Sequence, residues 1–159
     1  MSDSVKTQGT KLWYINTATS STNDFVTLAC PTGISGLGGA ADQIDVTCLE
    51  ATEDRSYVRG LGNPGQVSVP FILKPSEASH QELFDLKSSG AELAWMIGLS
   101  DGTGSPTVVN DAFVAPAGRS CFAFQAYVSD VAIDIATNEV VRGTLTLQRS
   151  GAVTPSWKA

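Results

Sequence analysis

The chain has 159 residues, 42% of them hydrophobic and 16% charged, with a formal net charge of −6. That length supports one domain whose core needs neither disulfides nor metal. The acidic balance excludes tight binding of a phosphate backbone, which needs clustered Lys and Arg, and no apolar run approaches the ~18 residues of a membrane span.

Residues 1–9 are polar and read as an N-terminal arm without the apolar stretch of a secretory leader. KLWYI at 11–15 predicts a first strand, and FVTLA within 25–30 a second. The following PTGISGLGGA has neither the GxxxxGK[ST] pattern nor a helix after it, so it reads as a connector and not a phosphate cradle. Residues 43–50 alternate, Ile44, Val46 and Cys48 against Asp45 and Thr47, and predict a strand.

Residues 49–66 are a long polar segment carrying Glu53, Asp54, Arg55, Tyr57, Arg59 and Leu61. Loops beyond about 12–15 residues with no structure of their own are uncommon in compact domains and are usually functional or disordered. This one holds aromatic and aliphatic side chains with no local core to enter. It is expected to be an arm that docks on another molecule and orders when it does so.

Residues 66–73 give the clearest strand, Val67, Val69, Phe71 and Leu73 on one face, with Pro70 requiring a bulge or an unpaired edge. A helix is predicted over 76–89, with Ser79 and Glu82 at capping-box spacing, a stripe of Leu83, Phe84 and Leu86, and Gly90 as its stop. Strands follow at 91–99, 108–114, 120–129, 130–135 and 141–149, and the tail 151–159 reads as a C-terminal arm with no strand pattern. The sum is mainly β: a β-sandwich or split β-barrel with one flanking helix, a long inter-strand loop and extended termini, in a single domain over 1–159.

Little chemistry is visible. His80 reads as a surface helix residue without partners, Asp130 and Asp134 as a charged surface, and Arg119 as a salt-bridge partner. No catalytic or metal-ligating set and no cofactor is expected. Cys30, Cys48 and Cys121 have no CxxC spacing and read as free buried thiols of a reducing compartment, one disulfide plus a spare thiol being the other option. The strand faces are more telling. Asp45, Thr47, Gln66, Ser68, Thr144, Thr146 and Gln148 make small, uncharged or acidic stripes almost free of lysine. Exposed edges normally carry Lys against stray pairing, so its scarcity suits edges paired between subunits. A monomeric carbohydrate-binding or adhesin module is the alternative, with Trp13, Tyr57 and Trp157 stacking on sugars.

GTKLWY, TCLEATEDRSYVRGLGNPGQVSVPF, SHQELFDLKSSG with LAWMIGLSDG, and FQAYVSDVAIDIATNEVVRGTLTLQRSG follow one another in the order of a known family. From about Gly9 to Gly151 the chain resembles the major tail tube proteins of long, non-contractile phage tails, whose fold is shared by contractile-tail tubes and type VI secretion tubes. The resemblance implies a structural subunit and no enzyme. It implies a homohexameric ring, stacked into a tube whose inner β-barrel passes DNA without binding it. Partners by analogy are the tape measure protein, the tail terminator and the distal tail protein, with no membrane. The expected location is the virion tail, after assembly in the host cytoplasm. On the same analogy 49–66 contacts neighbouring subunits, the two terminal arms bridge rings, and the polar stripes from Asp45 to Gln148 supply candidates for the lumen.

Overall fold

A computed structural model describes residues 4–16 and 25–159; the first three residues of the expected N-terminal arm lie outside them. Among the described residues the strands are β1 (Lys11–Tyr14), β2 (Val26–Thr27), β3 (Ala41–Asp45), β4 (Tyr57–Gly62), β5 (Gln66–Ile72), β6 (Glu92–Gly98), β7 (Thr107–Val109), β8 (Ala112–Val114), β9 (Cys121–Asp134) and β10 (Arg142–Ser156). One helix, α1 (Ala78–Ser89), joins β5 to β6. Six strands form an antiparallel sheet in the order β2-β1-β6-β9-β10-β5, while β3-β4 and β7-β8 are separate two-stranded hairpins.

Alternation builds the core. Leu12 and Tyr14 of β1, Leu93, Trp95 and Ile97 of β6, Phe124 and Ala126 of β9, Leu145 and Leu147 of β10, and Val67, Val69 and Phe71 of β5 share one face. Leu83 and Leu86 of α1 close that face, each stabilising the fold by about 2 kcal/mol through burial. Tyr14 adds a polar tie, its hydroxyl donating to Glu82 Oε2 at 2.6 Å. Burial, reinforced by the hydrogen bond and charge of Glu82, pushes the Tyr14 hydroxyl well above its ordinary pKa. On the opposite face Trp13, Met96 and Cys121 form a smaller cluster beneath Phe25 and Phe113. Gly98 is required there, because a Cβ would overlap the Trp13 ring.

Pro70 sits as its chemistry demands. Its carbonyl accepts from Thr32 N at 2.8 Å, so the nitrogen of the same residue also faces away from β10 and no ladder bond is lost. The glycine-rich connector runs along this outer side of β5. Ser35 and Ser68 exchange backbone hydrogen bonds, and Gly36, at φ +91°, passes too close to Gln66 for any side chain.

Several expectations change. The helix stops at Gly90 in the left-handed region, as read, but its N-cap is Glu77 and no side chain caps it. Ser79 is buried instead, and its hydroxyl accepts from Ala29 N at 3.3 Å. His80 is 1% exposed and not a surface residue. Its Nδ1 accepts from Lys74 N, which fixes the proton on Nε2, and that nitrogen donates to Ala29 O at 2.6 Å. The 120–129 and 130–135 strands are one, β9, carrying a bulge at Ser129 between the pairs Leu147↔Val128 and Thr146↔Asp130. The tail is not free of strand either: β10 continues to Ser156. Ser150 pairs with Gln125 and Thr154 with Ala123, so residues 151–153 bulge opposite Phe124, and this interruption hides the alternation. Residues 6–9 are tied down too, with Lys6 O accepting from the Ser100 hydroxyl and Gly9 O from Arg119.

Candidate assembly interface

The segment expected as an unstructured arm is the returning half of a hairpin. Gln43 pairs with Arg59, Ile44 with Val58 and Asp45 with Tyr57. Beyond them Val46 N donates to Ser56 O at 2.9 Å, and Ser56 N to the Thr47 hydroxyl at 2.9 Å. Thr47 N donates to Asp45 Oδ1 at 2.9 Å, and the Thr47 hydrogen bonds hold that carboxyl below its usual range. Gly60 and Gly62 broke the alternation in the sequence; Gly60 lies where a Cβ would crowd Asp42 O, at 3.1 Å.

Both faces of this hairpin meet solvent. Ile44, Val46, Tyr57 and Val58 are about half exposed, and Leu61 is 85% exposed. None of residues 40–63 belongs to either buried cluster. Two strands alone are marginally stable in water, so the hairpin carries apolar side chains that its own chain leaves uncovered. Glu53, Asp54 and Arg55 stand exposed at the tip, with Leu49.

The polar stripes divide between two places. Gln66, Ser68, Thr144, Thr146 and Gln148 lie together on the sheet face opposite the main core, in the cross-strand pairs Thr146↔Ser68 and Gln148↔Gln66. Asp45 and Thr47 do not join them; they belong to the hairpin. Lys87 forms an exposed salt bridge with Asp130 at 3.0 Å, which removes Asp130 from any free carboxylate pair.

Two arginines are buried, which their residue type did not indicate. Arg119 is 2% exposed and has no ion pair among the described residues. Its guanidinium donates to the carbonyls of Leu99 (2.5 Å), Gly104 (3.0 Å), Gly9 (2.7 Å) and Gly98 (3.2 Å) and stacks 5.0 Å from the Trp13 ring centroid. Arg149 follows Leu145 and Leu147 on the core-facing side of β10, and its Nη2 donates to Gly38 O at the hairpin base. Its parity with those leucines was the available signal. The thiols also divide: Cys121 is buried, and desolvation pushes it up, whereas Cys48 is exposed rather than buried as expected.

The sequence matches the family described as "Phage tail tube, TTP, lambda-like" over residues 3–159. The chain belongs to the lambda-like phage tail tube family. It is 38% identical over 152 residues to "Structural protein 3" of Pseudomonas phage PAJU2, covering 92% of this chain and 90% of that one. Its fold is similar to that of the SPP1 tail tube, with a TM-score of 0.68 at 12% identity over 98% of this chain and 80% of that one. It is also similar to the tail of an empty gene transfer agent particle refined with C6 symmetry, with a TM-score of 0.64 at 15% identity over 92% and 96%. As a tail tube protein the chain is a structural subunit of a phage tail, and the ligand-binding alternative finds no support. Trp13, one of its three sugar-stacking candidates, is 1% exposed.

Proposed function

We propose that this tail tube subunit forms six-membered rings that stack into a non-contractile tube, with the β3–β4 hairpin docking on neighbouring copies. The observation that carries the reading is a projecting hairpin with apolar side chains exposed on both faces. Glu53, Asp54, Arg55, Tyr57, Arg59 and Leu61 are its contact residues. The C6 symmetry of the similar gene transfer agent tail supports the ring number. Residues 1–9 and 151–159 bridge rings, in the single domain 1–159.

The polar face of β5 and β10 lines the lumen, through Gln66, Ser68, Thr144, Thr146 and Gln148. Duplex DNA carries about one charge per 1.7 Å, so a basic lining would hold it. None of these five side chains carries a charge. Asp45 and Thr47 lie with the docking hairpin. The tape measure protein occupies the tube before DNA, a tail terminator and a distal tail protein close its ends, and assembly takes place in the host cytoplasm. The role is mechanical rather than catalytic.

Negative-stain microscopy of the concentrated protein tests this. Rings or tubes with six-fold end views are expected, and the double variant Arg55→Glu/Arg59→Glu is expected to fold and remain monomeric. A wild-type chain that stays monomeric under every crowding condition rules the reading out.

A further inference from the structure

At the base of the hairpin lies a cavity of about 540 Å³, between Gly38–Gly39, the turn 62–64 and the β10 bulge at 151–153. Arg149 and Arg59 both line it, and no carboxylate among the described residues does. Arg149 is 5% exposed, and its buried Nε has no hydrogen-bond partner among the described residues. Arg59 is exposed and has no ion pair among the described residues. A buried guanidinium without a counter-ion is costly, and a carboxylate is its best geometric match.

The opposite end of the same hairpin has the complementary charge. Glu50, Glu53 and Asp54 are exposed at the tip against the single Arg55, with no ion pair among the described residues. The tip cannot fold back on its own base, because the ladder from Ala41↔Gly62 to Asp45↔Tyr57 holds the two ends of the hairpin apart. A basic socket at the hairpin base and an acidic plug at its tip, held apart by that ladder, can pair only between copies. Such a contact is heterologous, so it closes into a ring or propagates as a stack.

We propose that the acidic tip of one copy, through Glu53 and Asp54, docks in the Arg59–Arg149 cavity of the next copy. This rests on the tube reading and specifies which surfaces meet. The socket also clamps the hairpin base, since Arg149 already holds Gly38.

The test uses the full chain with Arg59→Glu, with Glu53→Lys/Asp54→Lys, and with all three changes together, read by sedimentation and electron microscopy. All altered side chains are exposed, and an unchanged melting curve checks folding. Each partial variant is expected to raise the concentration needed for assembly at least about tenfold. The combined variant is expected to recover most of that loss. Wild-type assembly without recovery in the combined variant overturns the docking and leaves the tube reading standing. A wild-type chain that never assembles overturns both. Unimpaired assembly of Arg59→Glu tubes that no longer retain short duplex DNA assigns the cavity to phosphate and also overturns the docking.

Discussion

The six-stranded sheet and the β3–β4 hairpin are both antiparallel, yet they satisfy their side chains in opposite ways. In the sheet, Trp95, Leu145 and Val69 are 0% exposed and every second residue has neighbours from another strand or from α1. In the hairpin, Val58 is 50% and Leu61 85% exposed, with no layer among the described residues on either side. Backbone pairing alone therefore does not separate a folding unit from an interface; the fate of the alternate side chains does. The sheet covers its alternate side chains within one copy, whereas the hairpin leaves its own uncovered.

The largest expected effects break the sheet. Trp95→Ala removes a fully buried indole, whose Nε1 also donates to Ala126 O at 3.2 Å. A loss of about 3–5 kcal/mol is expected, read by denaturant unfolding. Leu61→Ser, on the hairpin, is expected to change unfolding of the free subunit by less than about 0.5 kcal/mol while abolishing polymer formation. Similar unfolding losses for the two variants would erase the contrast.

Arg119→Lys comes next. A lysine ammonium cannot reproduce the planar fork that reaches four carbonyls on three segments, nor stack on Trp13. A destabilisation of about 2–3 kcal/mol is expected, with loss of amide protection near Gly9 and Leu99. Wild-type protection at those amides would show that Arg119 does not join the N-terminal segment to the sheet.

Thiol labelling sharpens the comparison without altering the fold. Cys48 is exposed on the hairpin, while Cys121 is buried and desolvated. In the free subunit a maleimide is expected to react with Cys48 roughly a hundredfold faster than with Cys121, which must await opening of the sheet. Assembly is expected to slow the Cys48 reaction. Unchanged Cys48 labelling in assembled tubes would place the tip outside the contact.

How much of this was legible in the sequence follows from the same physics. Strands buried on one face announced themselves by alternation, as in Val67, Val69 and Phe71, and α1 by Leu83 and Leu86 before Gly90. Residues 57–62 did not, because Gly60 and Gly62 interrupt the period and no buried face selects the others. The β7–β8 turn was hidden for a different reason: Asn110 and Asp111 both take positive φ, 52° and 58°, a primed hairpin turn without glycine. His80 and Arg119 were misjudged because their partners are backbone carbonyls and amides, which leave no trace in residue identity. The parity of the polar residues grouped Gln66, Ser68, Thr144, Thr146 and Gln148 correctly on one sheet face. It could not reveal that Asp45 and Thr47 belong to the separate hairpin and its loop.

The smallest expected effect concerns the C-terminus, which the sheet holds through hydrogen bonds rather than a buried side chain. Asp101 accepts from Ser120 N at 3.0 Å and from the Ser120 hydroxyl at 2.6 Å. That hydroxyl oxygen accepts in turn from Lys158 N at 3.0 Å. The Ser120 hydrogen bonds hold the Asp101 carboxyl below its ordinary value of 3.8. A lowered folded pKa means that the folded chain takes up the proton less readily than the unfolded one. The contribution is therefore present above pH 3.8 and is lost as the pH falls from there through the folded value. Asp101→Asn is expected to reduce hydrogen-exchange protection of the Lys158 and Ala159 amides at pH 7, with the difference from wild type closing as the carboxylate is protonated. A difference that persists unchanged in acid would mean that the aspartate acts by shape and not by charge. In that case the C-terminal strand end is held by packing, chiefly the edge contact of Trp157 on Phe122 at 5.8 Å between centroids, as the rest of the sheet is.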